Sequence, residues 1–139
     1  MKICARVESG GEHRVTLATN GSESSLTIPP KANGRGSSAN GGELLFLALA
    51  TCYCNDIYRE AEGRGIAVER VEVEVEGTFG APGEPASGVT YHARVVADAP
   101  EEAIRALMEH TDTVAEIQNT LRAPTPVTLG RIDAVRATS

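Results

Sequence analysis

The chain has no tryptophan, and aromatic residues make up only 4% of its 139 residues. A core without large rings must be built from Val, Leu, Ile and Ala. Basic residues are few, 13 Lys and Arg against 19 Asp and Glu for a net charge of −6, and they form no cluster. That balance argues against nucleic acid and against an anionic membrane surface as partners. No apolar run reaches bilayer-spanning length, and no secretory signal opens the sequence. Cysteine is scarce and odd in number: Cys4, Cys52 and Cys54 have no disulfide-framework spacing, so the reducing cytoplasm is the expected home. The three histidines, His13, His92 and His110, lack metal-ligand spacing. The glycine-rich stretch 29–42 lacks both the Gly-Lys-Ser/Thr and the G-x-G-x-x-G signatures of phosphate loops. No metal and no other cofactor is expected.

What is present is organised around Gly41 to Gly63, which has no proline, a glycine pair before it and a glycine at its end. This predicts a helix of about five turns. Every residue from Leu44 to Ala50 is apolar, so this half is expected to be buried all round. In the second half, at about 100° per residue, Phe46, Ala50, Tyr53, Cys54, Ile57 and Ala61 fall on one side and Cys52, Asn55, Asp56 and Arg59 on the other. Cys52 and Cys54 point roughly 200° apart, which disfavours a disulfide or a shared metal. Cys54 reads as a small core residue. Cys52 lies where the apolar half meets the polar half, beside Asp56 at i+4 and Arg59 at i+7. That is the setting of a reactive thiol; the plain alternative is a second inert core cysteine.

Around this helix the chain reads as strands and shorter helices. Residues 2–8 and 13–19 suit a hairpin, Asn20-Gly21 is a turn, and Ser25 to Ile28 suits a short third strand ended by Pro29-Pro30. Cys4 reads as an ordinary strand residue, and His13 as solvated. Residues 29–42 read as a surface loop, or as a loop that delivers Arg35 or backbone N–H groups to the helix. In 66–79, Val71, Val73 and Val75 alternate with Glu72, Glu74 and Glu76, the mark of a strand with one wet face. A loop from Gly80 to Gly88 leads to a return strand, Val89 to Ala97, with His92 on its polar face. Pro100 with Glu101 and Glu102 opens a second helix, striped by Ile104, Leu107 and Met108. It is expected to break around 110–112. A third helix follows with Val114, Ile117 and Leu121, and 127–135 gives one or two closing strands. This order is α+β, in a single domain over 1–139. An all-apolar half-helix is hard to cover in so short a chain, which predicts an obligate homodimer.

Asn40-Gly41-Gly42-Glu43-Leu44-Leu45 through Ala50-Thr51-Cys52-Tyr53 resembles the central helix of the OsmC/Ohr family, the osmotically inducible protein C and organic hydroperoxide resistance proteins. There the pattern is close to Asn-Pro-Glu-Glu-Leu-Leu, six apolar or small residues, then Cys-Phe. The element order matches as well, so the resemblance covers nearly the whole chain. It implies an OsmC-like α+β fold, with antiparallel sheets packed around the long central helix, in an intertwined homodimer with two interface sites. It also implies a two-cysteine reduction of organic hydroperoxides. The first thiolate becomes a sulfenic acid, the second cysteine closes a disulfide, and a dithiol resets the pair.

Carried over by residue, Cys52 matches the first cysteine. Ala115 stands where the resolving cysteine would be, in the segment Ala115-Glu116-Ile117-Gln118. Gly42 falls at the assisting glutamate, with Glu43 adjacent. Arg35, Arg6 and Arg14 are the candidates for the activating arginine. The resemblance thus points to Cys52, Glu43 and Arg35 as catalytic residues, with Leu45, Leu49 and Tyr53 lining an apolar pocket. Three functions follow. One is a one-cysteine peroxidase that draws on an external thiol reductant. Another is a non-catalytic module binding a small apolar ligand. The third is an acyl- or sulfur-transferring enzyme with His110 or Asp56 assisting Cys52.

Overall fold

The computed structural model describes residues 1–137. Its elements run β1 (Ile3–Glu8), β2 (Arg14–Thr19), β3 (Ser22–Ser25), α1 (Gly41–Gly63), β4 (Ala67–Thr78), β5 (Ser87–Asp98), α2 (Glu101–Val114) and α3 (Glu116–Arg122). The fold is α+β. Strands β1-β2-β3 form one antiparallel sheet and β4-β5 a second. The chain clusters into two compact units. One comprises Met1–Ala48 with Val75–Thr90, the other Leu49–Glu74 with the chain from Tyr91 onward.

In the first unit, Asn20 and Gly21 both take positive φ, 51° and 81°, as a two-residue hairpin turn with matched twist requires. The turn sets Thr19 opposite Ser22, so pairing begins immediately and β3 is Ser22–Ser25. The expected third strand at 25–28 is therefore displaced toward the turn. Loop 29–40 is closed by its own hydrogen bonds, from Lys31 N–H to the Gly36 carbonyl and from Ser38 N–H to the Pro29 carbonyl. Gly36 N–H also donates to Ser9 Oγ at 3.0 Å. His13 is not solvated as expected: both ring nitrogens are out of solvent and without a hydrogen-bond partner. Phe46 of α1 stacks on Phe79 with ring centroids 5.9 Å apart. Gly77 makes this possible, since a Cβ there would lie 2.8 Å from the Phe46 ring.

The second unit holds the core. Tyr53, Ile57 and Ala61 of α1 meet Leu107 of α2, backed by Val71 and Val73 of β4 and Val95 of β5. Ile57 and Leu107 are fully buried, each stabilising the fold by about 2–3 kcal/mol. The Val/Glu alternation of β4 behaves as read, with valines half-buried and glutamates exposed. Strand β5 begins at Ser87, two residues before the expected start.

Helix α2 does not break at 110–112. It runs to Val114, because the buried Thr111 satisfies its hydroxyl on the Leu107 carbonyl at 2.7 Å inside the helix. The break falls at Ala115, whose ψ of 114° is extended. On α3 the buried side chain is Gln118, and Leu121 of the expected stripe is half-exposed.

Two further expectations are corrected. The stretch 127–135 forms no strand; Val127 is 97% exposed and Leu129, Ile132 and Val135 are exposed too. A strand needs a partner, and among the described residues no other strand pairs with this one. The apolar half of α1 is also not buried all round in the single chain, where Leu47 is 55% exposed. Among the described residues no helix is long and apolar enough to cross a membrane.

Candidate functional site

Helix α1 starts where a reciprocal cap can form. Asn40 Oδ1 accepts from Glu43 N–H at 2.8 Å, and Glu43 Oε1 accepts from Asn40 N–H at 2.9 Å. This is a capping box with Asn in place of Ser or Thr, and it satisfies two N-terminal donors. The Glu43 carboxylate is thus engaged at the helix start. Gly42, at the position where the family resemblance places a glutamate, lies under Phe79; a Cβ there would sit 2.9 Å from that ring. Arg35 is an exposed loop residue whose backbone N–H donates to Asn33 Oδ1 at 3.0 Å. Arg35 and Glu43 belong to the first unit, Cys52 to the second.

Three turns into α1, Cys52 is half-buried and its thiol faces two carboxylates. Sγ lies 3.5 Å from Asp56 Oδ2 and 3.5 Å from Glu116 Oε2. A thiol has one proton, so it donates to one of the two at a time. Asp56, placed on the wet side by helical periodicity, is only 6% exposed because α3 lies over that face of the helix. Gln118 fastens α3 there, its Nε2 donating to the Leu49 carbonyl at 3.0 Å.

The positive charge of the cluster is Arg59. Its Nη1 contacts Glu116 Oε1 at 2.7 Å and Asp56 Oδ1 at 3.2 Å, and its Nε donates to Glu60 at 2.9 Å. Glu60 in turn meets His110 Nε2 at 2.8 Å. His110 therefore pairs with Glu60 and not with the thiol. The donor atoms of Cys52, Asp56 and Glu116 lie within 4.8 Å of one another. The cation shared by the two carboxylates is the guanidinium itself.

The electrostatics follow from this arrangement. Burial pushes the Cys52 thiol above its ordinary value; a hydrogen bond with the Ile117 backbone opposes this, and the charge and hydrogen bond of Asp56 and the hydrogen bond to Glu116 add to it. This balance favours the protonated thiol over the thiolate. Burial, with the adjacent Glu116, pushes the Asp56 carboxyl up to about 6, against the pull of Arg59. Hydrogen bonds with Asp56 and Arg59 hold Glu116 down to about 2. The arrangement can donate a thiol proton to a carboxylate; it does not hold a resting thiolate.

Ala115, at the position of the resolving cysteine, is fully buried next to Glu116. Of the residues expected to line a pocket, Tyr53 borders a cleft of about 730 Å³ together with Tyr91, Arg94, Arg105, Met108 and Asp112, whose walls are mixed rather than apolar. Leu49 is buried and Leu45 half-buried. Glu116 was not singled out from the sequence. Its signal in the sequence is its place directly after Ala115, in the segment that resembles the family's second-cysteine region.

A thiol on the central helix of an α+β fold with two antiparallel sheets defines a recognisable class. The family model for OsmC-like proteins matches residues 34–130, and the chain belongs to that family. A comparison with curated protein sequences gives no significant match. Solved structures share the fold. The OsmC-like protein of Mycoplasma pneumoniae superposes with a TM-score of 0.63 at 17% identity, over 89% of this chain and 88% of that one. The organic hydroperoxide resistance protein OsmC of Legionella pneumophila gives 0.59 at 23% identity, over 88% and 90%. An OsmC-like hydroperoxide resistance protein of Jannaschia gives 0.54 at 17%, over 90% and 87%.

Proposed function

We propose that this protein reduces organic hydroperoxides through Cys52 alone, as a cytoplasmic homodimer of a single OsmC-like domain. The observation that carries the reading is the placement of the Cys52 thiol, half-buried and hydrogen-bonded to acids that can manage its proton. Family membership and fold neighbours described as hydroperoxide resistance proteins support the substrate class. The sulfur attacks the terminal peroxide oxygen, becoming a sulfenic acid as the O–O bond breaks and an alcohol leaves. With alanine at 115, an external thiol condenses with the sulfenic acid, releasing water. A second thiol then frees Cys52 and leaves the reductant as a disulfide. Arg35 and Glu43 are kept as candidate catalytic residues on the family resemblance alone.

The homodimer is supported by the number of large apolar side chains exposed in one chain: Leu47 on α1, Ile3 and Val7 on β1, and Val127 to Val135 at the end. The alternative is a non-catalytic module that keeps a small apolar ligand. It draws on the raised rather than lowered thiol pKa. Intact-protein mass after brief exposure to an organic hydroperoxide, with a sulfenic-acid trap, separates the two readings. A trapped adduct on the wild type that is absent from Cys52→Ser supports the peroxidase. No adduct at millimolar hydroperoxide supports the binder.

A further inference from the structure

We infer that Asp56 is the proton carrier of the Cys52 reaction, taking the thiol proton as sulfur attacks the peroxide and passing it to the departing alkoxide. The inference rests on the hydroperoxide reading above and assigns to this chain a route that needs no arginine-stabilised thiolate.

The geometry has three parts. Asp56 Oδ2 is 3.5 Å from Sγ, so the acceptor is already on the proton to be moved. Arg59 holds the other oxygen, Oδ1, at 3.2 Å, which fixes the carboxylate with one oxygen turned to the sulfur. Asp56 is nearly inaccessible to solvent, so the thiol is the proton donor that faces its Oδ2. Glu116 touches the same sulfur, but it is exposed and more strongly acidic, and Arg59 contacts it more closely. That makes it the poorer base. The charged and titratable groups facing Asp56 are Cys52 and Arg59 from α1 and Glu116 from α3; Glu60 and the α2 residue His110 stand behind Arg59.

The step balances. The S–O bond forms as the O–O bond breaks. Sulfur loses two electrons to the peroxide, and the thiol proton reaches the alkoxide by way of Asp56, leaving sulfenic acid and alcohol. A carboxylate much less basic than the thiolate does not ionise the thiol at rest. Transfer accompanies bond formation, and the strongly basic alkoxide draws the proton onward.

The test compares two reactions of the same sulfur between pH 5 and 9. One is oxidation by cumene hydroperoxide, read as trapped sulfenic acid. The other is alkylation by iodoacetamide, which needs thiolate and no proton carrier. In the wild type, oxidation is expected to rise through the Asp56 titration and level off by about pH 7.5, while alkylation keeps climbing about tenfold per pH unit. In Asp56→Asn, oxidation is expected to fall about 10² -fold, the low end for loss of a general base. Alkylation at pH 8 is expected to increase, because a negative charge beside the sulfur is gone.

Wild-type oxidation that climbs with alkylation above pH 8 overturns the inference, and that arm requires no variant. So does an Asp56→Asn protein that is faster in both reactions. A wild type that alkylates but forms no sulfenic acid defeats the hydroperoxide reading itself, a result distinct from either.

Discussion

Arg59 and Cys52 hold different oxygens of one carboxylate: the guanidinium is 2.7 Å from Glu116 Oε1 and the sulfur is 3.5 Å from Glu116 Oε2. Charge on either side of Glu116 is therefore felt by the thiol. Replacing Glu116 with Gln removes an anion that raises the thiol pKa. Iodoacetamide labelling of Cys52 at pH 8 should accelerate about two- to fivefold. Arg59→Ala leaves both carboxylates uncompensated, and labelling should slow. Equal rates in both variants would show that the cluster does not control the sulfur.

The same unit has a second acid held by its neighbours, with a pH signature. Asp112 accepts from the Tyr91 hydroxyl and from Arg122 Nη2 at 2.7 Å. Burial alone would raise its carboxyl, but those two hydrogen bonds outweigh it and the net shift is downward. A depressed acid contributes stability above its unfolded pKa and loses it as pH falls through the folded value. Tyr91→Phe keeps the ring packed 4.9 Å from Tyr53 and removes only the donor. It should cost about 1 kcal/mol at pH 7, with the difference from wild type shrinking as pH falls below the ordinary aspartate range and through the depressed Asp112 value. Urea melts at pH 7 and pH 3 would measure both.

Local features of the sequence translate directly into this fold. Glycines bound α1 and no proline interrupts it, so Gly41–Gly63 is readable from residue types alone. The Asn20-Gly21 turn and the Val/Glu alternation of β4 depend on near neighbours in the same way. Helical periodicity puts Asp56 on a wet face, yet it is buried by α3, sixty residues later, and periodicity carries no information about what arrives from outside. Glu116 is the other half of that contact. The stretch 127–135 carries Val127, Ile132 and Val135, residue types that suit a strand, yet pairing is a long-range property, and its apolar residues stay exposed in the single chain. Arg35 and Glu43 owe their proposed roles to family resemblance; their local geometry explains a loop and a helix cap.

The proposed homodimer makes a sharp prediction at Leu47. This residue lies within the apolar half of α1 and is half-exposed in one chain. A buried contact with a second copy would be worth about 1.5–3 kcal/mol for such a side chain, and a charge there would reverse its sign. Wild-type protein at micromolar concentration should sediment at twice the chain mass, and Leu47→Glu should shift it toward one. Monomeric wild type in the same run would remove the dimer from the proposal.

Ala115→Cys asks whether the missing half of a two-cysteine cycle can be restored. Ala115 is fully buried and precedes Glu116, whose carboxylate touches the Cys52 sulfur; the next residue, Ile117, hydrogen-bonds that sulfur through its backbone. A thiol at 115 therefore starts one residue from groups already on Cys52. It adds one sulfur to a closed site, an overpacking cost of about 1–3 kcal/mol, which a melt would register. After one equivalent of organic hydroperoxide, this variant should lose the trappable sulfenic acid and show a 52–115 disulfide, as a loss of two hydrogens in intact mass and a cross-linked peptide on digestion. Turnover with a dithiol should rise relative to wild type, because resolution no longer waits for an outside thiol. A sulfenic acid that persists in Ala115→Cys would mean that the sulfur at 115 cannot meet Cys52 without moving α3, and that a single-cysteine cycle is imposed by the backbone as well as by the alanine.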